Sequence, residues 1–468
     1  MAKKQDILGA TIDAGLRHWQ ILQRGPDNNA SVQLSGHWKA PQPAKRKRVL
    51  VRVMNETANE PVATRLDWTP ATTRKNGTWS LTLSNIPAGG LYRVETCLNL
   101  DDGPVEWSAR GDMVHHVGVG DVWLILGQSN AEGHGKTPVC DPPEPGTHTF
   151  HASGSWRMAA HPLGDSTGTR YPANRLGSNP SHSPWLAFAR RLRAELGVPI
   201  GLIPASLGGS PLKQWNRKEI GDLFENMLRM VADAGGGVSG VVWYQGESDT
   251  GPEDRKTYLK RFRSFVTDLR KSLGVRSLPV ITAQLNRYVG AETMTETGDG
   301  WEEMRETQRQ AAKRIANVYI VSTLDLGLAD GIHNDSSGNL TIGERMASVV
   351  LGALQDRDVK WQHPDCTSAR LVRKNQVELT FANVQGRLHF ENNLPGGIPF
   401  AVRDAEGEIA VTGWTLRGRD RMRLKLARTP GKRASVTGAP TGYPPMVVPF
   451  DVPGYRPMLA FTERIRTA

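Results

Sequence analysis

Between residues 119 and 358 short apolar runs alternate with amphipathic segments. This alternation constrains the fold more than any other feature of the 468-residue chain. The apolar runs are DVWLILG (121–127), PIGLIPAS (199–206), GVVWYQGE (240–247), LPVITAQL (278–285) and NVYIVSTLDL (317–326). Between them lie WLAFARRLRAEL (185–196), EIGDLFENMLRMVADAG (219–235), TYLKRFRSFVTDLRKSL (257–273) and WEEMRETQRQAAKRIA (301–316), and GERMASVVLGALQ (343–355) closes the set. Strands separated by helices require crossover connections, and hence a parallel sheet with helices on both faces. Five such strands predict a doubly wound, flavodoxin-like α/β arrangement. The segment 131–184, rich in Gly, Pro, His and Ser, reads as a long loop that is functional, disordered or both.

On either side the period changes to two. VLVRVMN (49–55), TWSLTLSNI (78–86) and LYRVETCLN (91–99) alternate apolar and polar residues, with turn signals at Asn76-Gly77 and at 87–90. The C-terminal part repeats the style in VELTFANV (377–384), RMRLKLA (421–427) and RASVTG (433–438), with a hairpin turn at Ala405 to Gly407. Three units follow: a β-sandwich-like domain over 1–118, an α/β domain over 119–358 and a β domain over 359–468.

The chain has no apolar run of membrane-spanning length, and Met1–Gly15 lacks the apolar core of a secretory leader, so a cytoplasmic location is the default expectation. Cys97, Cys140 and Cys366 are too far apart for a disulfide framework or a paired-cysteine metal site. The net charge of +11 is spread along the chain apart from Lys45–Arg48, which directly precedes a strand, and no nucleic-acid motif accompanies it.

The chemistry collects at strand ends. The first strand ends in Gly127-Gln128-Ser129-Asn130, the second in Ala205-Ser206-Leu207-Gly208-Gly209-Ser210, and the third in Gln245-Gly246-Glu247-Ser248-Asp249. Asp330-Gly331-Ile332-His333 follows the fifth. In a parallel sheet these ends share one edge. Ser129 is a candidate nucleophile, although the same position suits a helix cap. His333 is a candidate base, and Asp330, three residues earlier, could fix its tautomer. The amides of Ser129 and of Gly208-Gly209, with the side chain of Gln245, could receive a tetrahedral oxyanion. Individually each residue also has a structural reading as a turn, cap or loop tie. Their joint occurrence in one α/β unit points to acyl transfer.

DVWLILGQSN, ASLGGSPLKQW, VVWYQGES and LADGIHND together resemble the sialate O-acetylesterase group of SGNH, or GDSL-like, carbohydrate esterases. NIPAGGLYRVET and TGYPPMVVPFDVPGYRPMLAF extend the resemblance over nearly the whole chain. It implies a three-layer αβα hydrolase that removes O-acetyl groups from sugars without cofactor or metal. Ser129 would be the nucleophile, His333 the base and Asp330 its orienting acid, with Ser129, Gly208 and Gln245 forming the oxyanion hole. In the wider superfamily the serine motif reads GDSL and an asparagine stands where Gln245 does; the sialate branch shares both departures. The implied partner is an O-acetylated sugar or polysaccharide, with neither nucleic acid nor membrane. Two alternatives are an acetylxylan-type esterase with the same site and an inactive carbohydrate-binding protein on a hydrolase scaffold. His134, His151 and Trp156 in the long loop are further candidates for sugar contact.

Overall fold

The computed structural model describes residues 8–467 except 176–179, 291–294 and 392–396. Part of the long 131–184 segment therefore lies outside the described residues, as do Met1–Ile7 of the N-terminal stretch.

Five parallel strands form the centre in the order Ile200–Pro204, Ala109–Gly127, Gly240–Tyr244, Val280–Ala283, Val318–Val321. In chain order this is 2-1-3-4-5, the flavodoxin-like sequence of neighbours. Val122 to Leu126 are buried throughout, as a strand covered on both faces requires. Helix Trp185–Leu196 packs against Ser336–Val349, and Pro252–Ser272 packs against Thr295–Arg314. Pro252 opens its helix where the missing N–H costs nothing. Gly197 ends Trp185–Leu196 in the left-handed conformation.

Two features differ from the sequence reading. The 131–184 segment is not wholly a loop: Thr147–His151 lies parallel to Ile200–Pro204, and Ser155–Met158 pairs antiparallel with it. Its polar composition hides the pair, because Thr147, His148, Thr149 and His151 are buried polar residues. The central strand also runs unbroken through residue 118. Its first half pairs antiparallel with Gly89–Leu100 of the N-terminal unit, and its second half is the middle of the parallel sheet. No linker separates the two units here.

The N-terminal unit is a pair of sheets sharing one core, which includes Leu34, Trp79 and Leu83 from one sheet and Val51, Val94 and Leu98 from the other. The C-terminal unit carries an eight-stranded and a three-stranded sheet. Its hairpin turns at Ala405 and Glu406, between the paired Asp404 and Gly407. Fully buried Arg305 on helix Thr295–Arg314 fastens this unit to the α/β domain, donating to the carbonyls of Ala439, Thr441 and Gly442 at 3.4, 2.6 and 3.0 Å.

Candidate active site

The first parallel strand stops at Gly127, which has φ 131° and approaches Tyr244 so closely that a Cβ would lie 2.1 Å from its carbonyl oxygen. Only glycine fits both demands. The chain then turns into the short helix Ser129–Glu132, placing Ser129 at its first position, half-buried. The first amides of a helix have no partner within it, so the Ser129 N–H is available to an acceptor.

Asn130, the next residue, binds the loop after the fifth strand. Its Nδ2 donates to the Ile332 carbonyl at 3.2 Å, and its Oδ1 accepts from the Asn334 N–H at 3.1 Å and the Asn334 Nδ2 at 3.0 Å. The backbone on both sides of His333 is thus held by the neighbour of Ser129. His333 in turn donates from Nδ1 to Asp330 Oδ2 at 2.9 Å, which leaves Nε2 as its basic nitrogen. The amides of Ile332 and His333 donate to the other carboxylate oxygen at 3.0 and 2.9 Å. Partial burial pushes the Asp330 carboxyl up, but these three hydrogen bonds outweigh it and hold the group well below the usual carboxylate range. Lys136 adds a contact to Asp330 Oδ2 at 3.2 Å. Asp335 caps the following helix through Gly338 N–H at 2.6 Å, and Asp325 is paired with Arg345 at 2.7 Å, so neither is the acid beside His333. Among the described residues no hydrogen bond reaches Ser129 Oγ; such contacts commonly tighten only when substrate binds.

The two remaining oxyanion candidates are already engaged. The Gly208 N–H donates to the Glu132 carboxylate. Gln245 is fully buried; its NH2 donates to Asp249 and, at 3.2 Å, to the Ser210 carbonyl, while its Oε1 accepts from Tyr258 at 2.8 Å. Gln245, expected as an oxyanion donor, is engaged within the fold in this structure. Its amide ties the ends of the second and third strands together beneath the site and has no N–H free to face a substrate. Glu247 lies there too, accepting from Asn130 Nδ2 at 2.8 Å with its second oxygen unpartnered. Burial, with a smaller push from Asp249, raises its carboxyl to about 7 against the pull of Asn130.

Residues 119–352 match the family described as carbohydrate esterase, sialic acid-specific acetylesterase. The chain belongs to this family. Its members are carboxylic ester hydrolases, and the strand-end constellation lies within the matched residues. A protein of Arabidopsis thaliana described as a probable carbohydrate esterase is 28% identical over 254 residues, which cover 49% of this chain and 90% of that one. The crystal structure of a carbohydrate acetylesterase from Xanthomonas citri superposes with a TM-score of 0.65 at 20% identity, covering 97% of this chain and 99% of that one. The shared architecture therefore includes both flanking β-units.

Within this esterase fold the long-loop candidates separate. His134 lies beside His333, with the two rings stacked at 4.5 Å between centroids. His151 and Trp156 are buried in the added edge strands, with His151 bonded to Ser153 and Trp156 to the Ala234 carbonyl. Glu132, Lys136 and Asn334 had no role in the sequence reading, because their partners are distant in the chain or act only through geometry.

A separate cluster joins Asp141, His161 and His182, the one His/Cys/Asp/Glu group with metal-ligand spacing among the described residues. Asp141 accepts from His161 Nε2 at 2.9 Å, from His182 Nε2 at 3.1 Å and from Arg190 at 2.7 Å. The Ser183 N–H points at His161 Nδ1 at 3.4 Å, which puts the proton of a neutral His161 on Nε2. That tautomer donates to the carboxylate and offers no lone pair to a cation, so the cluster fits a charge-assisted clamp better than a metal centre. Burial pushes Asp141 up, but the two histidine hydrogen bonds pull it down to about 2.

Proposed function

We propose that this protein is a serine esterase that removes O-acetyl groups from carbohydrate, with an acetylated sialic acid as the first substrate to test. One observation carries the reading: Asn130 holds the peptide groups on both sides of His333, so that the Asp330–His333 pair is fastened to the residue following Ser129. The family match supports the carbohydrate ester.

In this reading Ser129 Oγ attacks the acetyl carbonyl while His333 Nε2 takes its proton. The oxyanion forms against the Ser129 N–H and, once Glu132 yields it, the Gly208 N–H. Collapse breaks the bond to the sugar oxygen, which leaves with the proton from His333. Water then adds to the acetyl-serine, its proton passing to His333. Acetate departs, and the proton returns to Ser129. Asp330 keeps Nδ1 protonated throughout and offsets the imidazolium charge. Losing one oxyanion donor in comparable sites costs about 3–4 kcal/mol of barrier.

The test is Ser129→Ala assayed on a small aryl acetate, then on acetylated sialic acid, acetylated xylan and capsular polysaccharide. Loss of activity by at least about a thousandfold in a folded variant is expected. Full activity would refute the mechanism. Wild-type turnover of the aryl acetate without wild-type release of acetate from any of these sugars would refute the carbohydrate substrate.

A further inference from the structure

We infer that Glu132 and His134, which lie outside the triad, form a positioning pair that sets the orientation of the base and of the Gly208 loop from the segment that carries the nucleophile. The inference rests on the serine-esterase reading above.

Glu132 is only 3% exposed. A carboxylate so buried needs partners, and it takes them from two different elements. The Gly208 N–H, at the end of the second strand, donates to Oε1. His134 Nε2 donates to Oε2 at 3.1 Å. A side chain at position 208 would crowd the same carboxylate, since a Cβ there would lie 3.0 Å from Oε2. Held in this way, the His134 ring lies across the face of the His333 ring at 4.5 Å and 25°.

The stack supplies a constraint that the Asp330 contact lacks. One hydrogen bond at Nδ1 fixes a point on the His333 ring but leaves it free to tilt about that bond. A second ring against its face removes the tilt, and with it the swing of Nε2 relative to Ser129. Nucleophile, carboxylate and stacking ring all belong to 129–134, so base and nucleophile share one frame. Glu132 also keeps the Gly208 amide pointing toward the site until an oxyanion replaces the carboxylate as its acceptor.

The experiment compares His134→Ala, His134→Phe, Glu132→Ala and Glu132→Gln with wild type in pre-steady-state hydrolysis of p-nitrophenyl acetate. Burst amplitude counts intact sites and burst rate reports acylation. We expect full amplitude in all four. Acylation in His134→Ala and Glu132→Ala should fall about ten- to a hundredfold with KM nearly unchanged, as a misplaced catalytic group costs about a hundredfold per ångström. His134→Phe keeps a ring on His333, and Glu132→Gln keeps an acceptor for Gly208 while its NH2 donates to His134 Nε2 once the His134 proton moves to Nδ1. Both should stay within about threefold of wild type, because the geometry that orients the reacting groups is retained. The Glu132→Ala/His134→Ala double variant should be no slower than the worse single one. Wild-type acylation in His134→Ala, equal losses in His134→Ala and His134→Phe, or a loss confined to burst amplitude would each overturn the inference. A wild-type enzyme that forms no acetyl-Ser129 would instead overturn the esterase reading itself.

Discussion

Replacing Glu247 by Gln removes a buried acid without removing the acceptor that Asn130 Nδ2 uses. An unfolded glutamate ionises near 4.3, whereas burial raises Glu247 to about 7. Below the lower value both states hold the proton and nothing is lost. Between the two values only the folded state holds it, so stability falls as pH rises. Above about 7 both states are ionised, and the folded protein carries the whole penalty. At 1.36 kcal/mol per pKa unit the penalty is about 4 kcal/mol, of which about 2–3 kcal/mol develops between pH 5 and pH 8. Gln carries no such term. Urea unfolding followed by tryptophan fluorescence at both pH values measures it, since Trp243 is buried in the strand that leads to Glu247. The variant should gain stability over wild type by about 2–3 kcal/mol more at pH 8 than at pH 5. An equal difference at the two pH values, or a larger gain at pH 5, would show that Glu247 does not hold a raised pKa in the folded protein.

Further predictions concern the site's frame. Asn130→Ala leaves the Ile332 carbonyl, the Asn334 amide and Glu247 without a partner, and should cost about 2–4 kcal/mol in unfolding experiments. It should also lower kcat by more than about tenfold; a stable variant of normal kcat would show that Asn130 does not set the base. Asp141→Ala leaves Arg190 and two histidines around an empty position and should cost about 3–5 kcal/mol in the same measurement. Prolonged EDTA treatment should leave aryl acetate hydrolysis unchanged; a lasting loss reversed by a divalent metal would contradict the hydroxyl-nucleophile chemistry.

Much of this arrangement was legible in the sequence, for identifiable reasons. Apolar runs of four to six residues ending in Gly and polar residues mark parallel strands, and the Asp-x-x-His spacing lets a carboxylate meet both the ring and the backbone of His333 within one turn. The helix Trp185–Leu196 has the bounds its pattern gives, because Gly197 stops it. Other parts were hidden by burial of polar side chains. Thr147–His151 reads as loop until the edge of the sheet covers its histidines and threonines. Gln245 reads as an available amide until Asp249, Ser210 and Tyr258 close around it. The continuous strand Ala109–Gly127 was obscured where His115, His116 and Gly118 break the alternation at the very point where one sheet passes into the next.

The central claim is that Ser129 carries the acetyl group in transit. Rapid acid quench during turnover of an aryl acetate, followed by peptide mass spectrometry, tests it directly. The expected product is a peptide heavier by one acetyl group, with the modification on Ser129, and no such peptide from Ser129→Ala. An acetyl group trapped on another residue, or turnover at the wild-type rate in Ser129→Ala, would contradict it.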